Sequence, residues 1–201
     1  MTRRVLAIGA HGDDVEIGAA GYLQRFEERL IVVATAGEVG GNPGNRRQES
    51  MAAARTLGAE FRQLTQPDTR IDVVDLSNEL ENLAKCYRPH VVLTMSGVDT
   101  HQDHRAVKQA TMIAFRDLPA TILAYVTPSS AEAFQPNWFV RMTDAQMRVK
   151  LDAITCHQSQ RSRSYLSDAY ILGMGRYWAM VTRSSVDYVE PYELVRYWEP
   201  T

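Results

Sequence analysis

Blocks of apolar residues alternate with mixed blocks along this chain, and the alternation predicts strands and helices in turn. The unbroken apolar run at residues 5–8 is typical of a strand that is buried on both faces. Residues 17–30 follow a helical pattern, and a second apolar run at residues 31–34 predicts the next strand. The chain therefore opens as strand, loop, helix and strand.

The same alternation continues through the middle of the chain. Residues 46–57 are alanine-rich and predict a helix that ends at Gly58, a residue that suits the left-handed backbone after a helix. Further strands are predicted at residues 61–64, 90–94, 122–125 and 138–140, and further helices at residues 73–87, 105–116 and 143–154. Thr143 and Gln146 fit a capping box at the start of the last helix. We assign no element beyond residue 154.

Strands that alternate with helices at this spacing predict an α/β fold. We expect a Rossmann-like, mostly parallel sheet with helices on both faces, folded as a single domain over residues 1–201. The hydrophobic content of 45% allows one ample core. In such sheets ligands bind outside the carboxyl ends of the strands. Residues that directly follow a strand are therefore the first candidates for a functional site.

Charge, apolar stretches and cysteine content indicate which partners and which compartment to expect. The formal net charge is -2 with both signs interspersed, so we expect neither nucleic acid nor an anionic membrane as a partner. No stretch approaches the roughly 20 apolar residues that span a bilayer, and no export signal is visible, which favours a cytoplasmic protein. Cys86 and Cys156 lie far apart, and we interpret them as buried free thiols.

Two polar motifs follow predicted strands and hold the candidate metal ligands. Their candidate residues are His11, Asp13, Asp14, His101, Asp103 and His104. Imidazole and carboxylate together suit a divalent ion of the zinc type, and catalytic zinc takes three protein ligands and keeps a fourth position for water. His11 and Asp14 can converge on one ion, which leaves Asp13 as a carboxylate that accepts a proton from water.

Each motif also has a plain structural explanation. The first motif would serve equally well as a polar turn that caps the next helix. The second would serve as a helix N-terminus at which the helix dipole favours Asp103. On one helix face, however, one of His101 and His104 can bind the ion while the other contacts the substrate. Two such motifs at two strand ends favour the metal site.

Other residues with chemical potential are interpreted as structural. We expect His90 to serve packing and His157 to be a hydrogen-bonded structural residue. The glycines within residues 37–44 lack the spacing of phosphate-binding loops, so we interpret this segment as a mobile rim loop. Late aromatic residues are expected in core or subunit packing; they include Tyr177, Trp178, Tyr188 and Trp198.

The two motifs resemble those of a known family. Residues 10–18 resemble the signature of the PIG-L (LmbE-like) zinc-dependent N-deacetylases, and residues 101–104 resemble the second signature of that family. Further matches in chain order are Arg46 with Glu49, Lys150 with residues 157–160, and residues 188–192. The similarity covers most of the chain. Gly12 and Gln102 stand where the family usually has proline, which predicts looser loops.

This resemblance implies a Rossmann-like enzyme that removes acetyl groups from N-acetylated amino sugars and related small molecules. The implied zinc ligands are His11, Asp14 and His104. Asp13 matches the general base, and His101 with Asp103 matches the acid and its orienting carboxylate. Arg46 matches a substrate-side arginine, which Glu49 one turn later would hold in place. The resemblance also implies a homo-oligomer.

The expected reaction is hydrolysis of the acetamide to acetate and a free amine, and three alternatives stay open. The same site would suit an amidase that acts on another acyl group or on a non-sugar amide. A metal-stabilised binding protein without catalysis is the second alternative. Two histidines and one carboxylate also suit ferrous iron or another divalent ion, as in an oxygenase. Asp13 favours zinc hydrolysis, because it would be superfluous in an oxygenase.

Overall fold

The computed structural model describes residues 3–130 and 133–199, which contain one seven-stranded sheet. The strands are β1 (Arg4–Gly9), β2 (Glu28–Thr35), β3 (Glu60–Gln66), β4 (Val91–Met95), β5 (Thr121–Tyr125), β6 (Trp138–Met142) and β7 (Tyr188–Arg196). The helices are α1 (Asp14–Leu23), α2 (Pro43–Thr56), α3 (Val73–Tyr87), α4 (Gln102–Ala114), α5 (Asp144–Thr155) and α6 (Asp168–Val181). Two 3₁₀ turns lie at Gln158–Gln160 and Ser164–Leu166. Among the helices of this part of the chain, none has the length and apolar character needed to cross a bilayer.

Five strands of the sheet are parallel, and two antiparallel strands extend it at one edge. The order across the sheet is β3-β2-β1-β4-β5-β7-β6. β1 pairs in parallel with both β2 and β4, whereas β7 pairs antiparallel with β5 and β6. The chain moves outward from β1 to β3 and then crosses to β4 on the other side of β1. The carboxyl ends of β1 and β4 therefore flank the point where the strand order reverses, and ligands bind at such a point.

The helices cover both faces of the sheet. α3 packs beside α4, whereas α5 packs against α1, α2 and α6. Every residue of β4 is buried, and so is nearly every residue of β1 and β5. Central strands buried on both faces are typical of parallel sheets between helix layers. The predicted α/β fold with a mostly parallel sheet is confirmed.

The first helix is shorter and earlier than its pattern indicates. It spans Asp14–Leu23 rather than residues 17–30, and β2 begins before the predicted helix ends. Leu23, Phe26 and Leu30 keep a helix-like spacing across the turn, and all three are buried. The pattern therefore continues where the helical backbone does not.

Local signals are confirmed at two helix ends, whereas the burial expected of the two cysteines is wrong. Gly58 follows α2 with φ of +62°, the left-handed conformation that glycine adopts without strain. The capping box of Thr143 and Gln146 is present at the start of α5. Cys86 and Cys156 are free thiols, but Cys86 is exposed and Cys156 half-buried, so the expectation of burial is wrong.

α6 and β7 lie beyond the last element that the sequence predicts. Gly173 and Gly175 interrupt the apolar pattern of α6. β7 carries the charged Glu190 and then Pro191 at buried positions, so its sequence lacks the apolar run of an interior strand. Both elements contribute to the second hydrophobic cluster of the protein, which includes Ile171 and Tyr188.

Candidate active site

The candidate residues meet at the carboxyl edge of the sheet, where β1 and β4 end. His11 lies just beyond β1, Asp13 is the N-cap of α1, and Asp14 is the first residue of that helix. His101 is the N-cap of α4, and His104 lies in the first turn of the same helix. These two strand-to-helix turns bring both motifs to one pocket of about 360 Å³.

Three side chains in this pocket form a candidate metal site: His11, Asp14 and His104. Their donor atoms all lie within 4.8 Å of one another. His11 Nδ1 is 3.6 Å from Asp14 Oδ2, and His104 Nε2 is 3.4 Å from Asp14 Oδ1. A tetrahedral ion with bonds of about 2.1 Å separates its ligands by about 3.4 Å. Both the spacing and the donor types therefore fit a divalent ion of the zinc type.

A carboxylate holds the second nitrogen of His104. Asp99 Oδ2 lies 2.8 Å from His104 Nδ1 and also accepts a hydrogen bond from Thr127 Oγ1 at 2.7 Å. The other oxygen of Asp99 accepts the backbone N–H of His101 at 2.8 Å. A carboxylate at Nδ1 keeps an imidazole proton there, so Nε2 is the nitrogen that is left to bind an ion beside Asp14.

A matching arrangement holds His11. Its Nε2 lies 3.1 Å from Asp68 Oδ1 and 3.3 Å from Asp103 Oδ2, which leaves Nδ1 to face the candidate metal site. Asp68 also accepts the backbone N–H of Val39 at 3.0 Å, and Asp103 accepts that of Thr69 at 2.8 Å. Each carboxylate is therefore fixed by backbone donors and in turn fixes the histidine ring.

Charge pairing sets the protonation of this cluster. Burial raises the pKa of Asp14, but His104 and His11 outweigh burial and lower that pKa to about 2. Burial lowers the pKa of His11, but Asp103, Asp14 and Asp68 outweigh it, and the pKa rises well above its usual value. Protons on the histidines therefore compete with a metal ion, and binding of the ion releases them.

His101 presents a hydrogen-bond donor to the pocket. Its Nδ1 accepts the backbone N–H of Asp103 at 3.2 Å, so the proton of the neutral ring resides on Nε2. Burial, followed by the neighbouring His104 and His11, lowers the pKa of His101 and favours this neutral form. Asp103 thus contacts His101 through its backbone, while its carboxylate faces His11.

Asp13 lines the same pocket but is not one of the three candidate ligands. It is only 5% exposed, and its Oδ1 lies 3.8 Å from the guanidinium of Arg46 on α2. The glycine-rich loop crosses directly over Arg46. Gly37 has φ of +63°, and a β-carbon at this position would overlap Arg46 Nε. Glycine is therefore required here both by the backbone and by the arginine beneath it.

The expected contact between Glu49 and Arg46 is wrong. The carboxylate of Glu49 instead accepts the backbone N–H and the hydroxyl of Ser159, both at 2.7 Å. The adjacent Gln160 donates from Nε2 to the carbonyl oxygen of Gly40 at 3.3 Å. Glu49 thus fixes the 3₁₀ turn that joins the glycine-rich loop at the rim of the pocket.

The two remaining histidines are not among the candidate metal ligands. His90 Nδ1 accepts the backbone N–H of Arg4 at 3.0 Å, at the amino end of β1. His157 is buried, and its Nε2 lies 3.7 Å from Glu16 Oε1. Within residues 3–130 and 133–199, that nitrogen has no hydrogen-bond partner. His90 therefore serves the fold as expected, whereas the hydrogen bond expected of the His157 ring is absent at Nε2 in this part of the chain.

The chain matches the family model described as PIG-L: GlcNAc-PI de-N-acetylase over residues 6–115. The matched residues are more than half of the chain and contain both polar motifs. The chain belongs to the PIG-L family. The uncharacterized deacetylase YaiS of Escherichia coli (strain K12) is 38% identical over 168 residues, which are 77% of this chain and 90% of that protein. This PIG-L protein therefore has a deacetylase relative along most of its length.

Solved structures share the whole fold of this PIG-L protein. N,N'-diacetylchitobiose deacetylase from Pyrococcus horikoshii has a TM-score of 0.79 and 23% identity, covering 96% of this chain and 83% of that chain. GalB, the 4-carboxy-2-hydroxymuconate hydratase from Pseudomonas putida, has a TM-score of 0.84 and 20% identity, covering 99% of both chains. These likenesses show the fold alone, and the two names denote different reactions.

Sequence reasoning missed three residues that support the two histidines: Asp68, Asp99 and Thr127. Each lies just beyond the carboxyl end of a strand, namely β3, β4 and β5. The rule that placed the two motifs at strand ends applies equally to these residues. They went unnoticed because no motif spacing marks them. A survey of the polar residues after every strand would find them.

Proposed function

We propose that this PIG-L protein is a metal-dependent N-deacetylase. It hydrolyses the acetamide of an N-acetylated amino sugar or related small molecule to acetate and a free amine. The observation that carries the proposal is the position of Asp13, a carboxylate that lines the pocket beside three metal donors without being one of them. A hydrolase needs such a base, whereas a structural zinc site is closed by four protein ligands.

Zinc is the proposed ion, and His11, Asp14 and His104 are its proposed ligands. Two imidazoles and one carboxylate form a ligand set that catalytic zinc takes in hydrolases. When bound, zinc makes water more acidic and polarises the amide carbonyl. Carboxylates behind both histidines favour this use of the site, because such partners orient metal-binding imidazoles and raise their basicity.

Asp13 is the proposed general base. The guanidinium of Arg46, 3.8 Å away, holds its carboxylate at the wall of the pocket. Asp13 takes one proton from the attacking water while the water oxygen bonds to the carbonyl carbon of the substrate. A positioned base of this kind contributes about 100- to 10,000-fold in rate.

His101 is the proposed hydrogen-bond donor to the reacting carbonyl. Its Nε2–H donates to the carbonyl oxygen as negative charge develops there. The carbon–nitrogen bond then breaks, and the departing amine gains the proton that Asp13 took from the water, which restores Asp13. The neutral ring of His101 keeps its proton, because losing it would leave an imidazolate, so the role of acid that the resemblance implies for His101 passes to Asp13. Asp103 supports this role through its backbone N–H, which fixes the tautomer of His101.

The substrate side of the pocket suits a polar molecule. Arg46, Gln160, Arg163 and Tyr165 line it together with the glycine-rich loop. Guanidinium and amide groups at a rim suit the hydroxyl groups of a sugar. The family description, GlcNAc-PI de-N-acetylase, and the diacetylchitobiose deacetylase neighbour support an N-acetylated amino sugar as the substrate class. Arg46 is the proposed substrate-binding residue.

Each alternative function that the sequence left open differs from the proposal in a property that can be measured. An amidase for another acyl group would keep the same residues and differ in the space beside the acyl carbon. A binding protein would keep the metal donors but have no need of Asp13. Ferrous iron is separated from zinc by metal analysis after anaerobic purification. Light scattering tests the homo-oligomer that the resemblance implies, and limited proteolysis tests the proposed single domain.

Acetate and amine release decides the proposal. Zinc-loaded protein is incubated with N-acetylglucosamine, diacetylchitobiose and N-acetylglucosaminides that carry neutral or acidic aglycones, with and without chelator. Acetate and primary amine are measured in parallel and should appear in equal amounts. We expect release that chelator abolishes and added zinc restores.

Three results would count against the proposal. Release that chelator leaves untouched would overturn the metal dependence. No release from these acetamides, together with release of amine from N-propanoyl- or N-butanoylglucosamine, would point to another acyl group. No release from any amide, by a protein that binds zinc tightly, would favour the binding protein.

A further inference from the structure

A second cavity lies behind the wall of the candidate active site. It measures about 30 Å³, and it lies between α1, α5, α6 and β7. Its apolar lining includes Ile17, Met142, Met147, Ile171, Met174 and Trp178. A cavity of about 10–15 Å³ holds one water, so this space has room for two waters or a short alkyl group.

The chemistry of this second cavity suits an alkyl group better than a sugar. Its charged lining residues, Lys150 and Glu190, already pair with each other at 2.7 Å. One lining group differs: the indole N–H of Trp178 is buried without a hydrogen-bond partner among the described residues, and this donor suits a single water rather than an alkyl group. Three methionine side chains supply flexible apolar walls that adapt to the shape of an alkyl group.

Ile17 separates the second cavity from the active-site pocket. Its side chain is partly buried and lines both spaces. Ile17 lies one helical turn beyond Asp13, and its backbone N–H donates to the Asp13 carbonyl oxygen at 3.1 Å. Residues with this spacing share one helix face, so the apolar side chain of Ile17 stands beside the proposed general base.

The position of Ile17 defines where the acyl group of a substrate lies. Asp13 serves water that attacks the carbonyl carbon, so that carbon has to lie beside Asp13. The amine half of the substrate extends to the polar rim at Arg46 and Arg163. The acyl half therefore faces the remaining neighbour of Asp13 on its helix, which is Ile17.

We infer that Ile17 limits the acyl group to acetyl, and that the methionine-lined cavity behind it is the space that a longer chain would enter. This inference rests on the proposed N-deacetylase function. Replacing isoleucine by alanine removes three carbons, and a butanoyl group has two carbons more than an acetyl group. The truncation therefore opens space that matches the added chain.

The experiment compares N-acetyl-, N-propanoyl- and N-butanoylglucosamine as substrates for the wild-type protein and Ile17→Ala. One methylene in an apolar pocket changes selectivity about 10- to 200-fold. We expect Ile17→Ala to raise the butanoyl-to-acetyl ratio of kcat/KM by at least about tenfold. A ratio of two substrates on one preparation does not depend on how much of the variant is folded.

Two further variants distinguish the cavity from a general loosening of the protein. Ile154→Ala makes the same truncation in the second hydrophobic cluster, at a residue that lines neither space, and should leave the ratio unchanged. Met174→Phe combined with Ile17→Ala refills the cavity from α6. It should return the butanoyl-to-acetyl ratio of kcat/KM to the wild-type value.

The possible results separate this inference from the function on which it rests. An unchanged ratio in Ile17→Ala, with acetyl hydrolysis intact, overturns the inference and leaves the N-deacetylase proposal standing. Wild-type protein that hydrolyses butanoyl and acetyl substrates equally well also overturns it. Absence of hydrolysis of every amide overturns both. A raised ratio that Met174→Phe does not reverse places the longer chain outside the cavity and rejects the inference.

Discussion

Two buried clusters of charged residues lie near the two ends of α1, and they differ in how completely their atoms are paired. At the far end of the helix, Glu190 receives hydrogen bonds from the backbone N–H groups of Gly21 and Tyr22, both at 2.8 Å. Lys150 Nζ at 2.7 Å and the hydroxyl of Tyr192 at 2.8 Å complete the set. Each carboxylate oxygen of Glu190 therefore has two donors.

The cluster at the start of α1 contains polar atoms that have no hydrogen-bond partner among the described residues. Asp103 Oδ1, Glu16 Oε2 and His157 Nε2 are buried without hydrogen-bond partners in residues 3–130 and 133–199. The nitrogens of His11 and His104 that face Asp14 do so at 3.4 Å or more, longer than a good hydrogen bond but suited to two ligands of one ion.

Residue type alone therefore does not identify a functional site. Both clusters contain buried acids and bases, and both matched the family motifs by sequence. A saturated cluster has no donor or acceptor left for a ligand, so it stabilises the fold. In the cluster at the start of α1, the unpartnered atoms belong to residues outside the pocket lining, and the residues that line the pocket, His11, Asp14 and His104, have donor atoms left for an ion.

The variant Asp13→Asn tests the cluster at the start of α1 and should have the largest effect. The amide keeps the shape of the side chain but does not take a proton from water. We expect kcat to fall by about 100- to 10,000-fold while zinc affinity changes little, because Asp13 is not a proposed ligand. Acetate release and chelator competition measure the two quantities. Asp117→Asn, at an exposed residue, should change neither. Near-normal turnover by Asp13→Asn would remove the basis of the proposed mechanism.

The matching test of the Glu190 cluster, in which every carboxylate oxygen is paired, is Glu190→Ala. Removing this carboxylate leaves Lys150 buried without its partner, a change that costs about 3–5 kcal/mol of unfolding free energy. Urea denaturation measures the loss. The exposed pair of Glu81 with Lys85 provides the control, since Glu81→Ala should cost about 0.3–0.5 kcal/mol. If Glu190→Ala keeps its stability but loses turnover, the division between a structural and a functional cluster fails.

The sequence was sufficient for the parts of the site that follow simple rules. Apolar runs predicted the central strands, and the rule that ligands lie beyond strand ends brought His11 and His104 to one pocket. Both rules depend on short-range patterns that the printed sequence displays. The same patterns failed after residue 154, because the buried charge of Glu190 makes β7 look unlike an interior strand.

Sequence patterns do not predict which residues from distant parts of the chain hold the two histidines in place. Asp68 and Asp99 contact the two histidines because of the strand order, which no local spacing encodes.

The packing of the turn at Gly12 also depends on a residue from a distant part of the chain. The lack of proline there predicted a looser loop, yet a β-carbon at Gly12 would overlap the hydroxyl of Ser50 on α2. Ser50 fills the space, so the turn packs closely by another route.

A test of the support behind the metal ligands is Asp68→Asn. The variant weakens the hydrogen bond that fixes His11 through Nε2, and loss of such a partner typically lowers metal affinity about 10- to 100-fold. Competition with a fluorescent chelator gives the dissociation constant for zinc. The control is Asp72→Asn, which lies between β3 and α3 as Asp68 does. Because Asp72 only caps α3, this substitution should leave zinc affinity unchanged. An effect of Asp68→Asn on KM alone would assign Asp68 to the substrate instead.

Lys108 tests whether incomplete pairing is sufficient to mark a functional group. Its Nζ is buried, without a hydrogen-bond partner among the described residues, and it does not line the active-site pocket. Burial lowers the pKa of Lys108 to about 8, although the charge of Glu193 opposes the shift. The folded protein therefore holds this proton less tightly than the unfolded chain, which costs stability wherever lysine is charged.

Lys108→Met should therefore stabilise the protein and leave turnover unchanged. We expect a gain of about 1–2 kcal/mol at pH 7, smaller than the shift alone implies because water still reaches part of the side chain. The wild-type cost is complete below pH 8 and disappears toward pH 10.5, so the gain should shrink between these values. Urea denaturation at pH 7 and pH 9.5 measures it. Loss of turnover in Lys108→Met would show that an unpaired buried group outside the pocket also serves function, and the contrast between the two clusters of α1 would need a different physical basis.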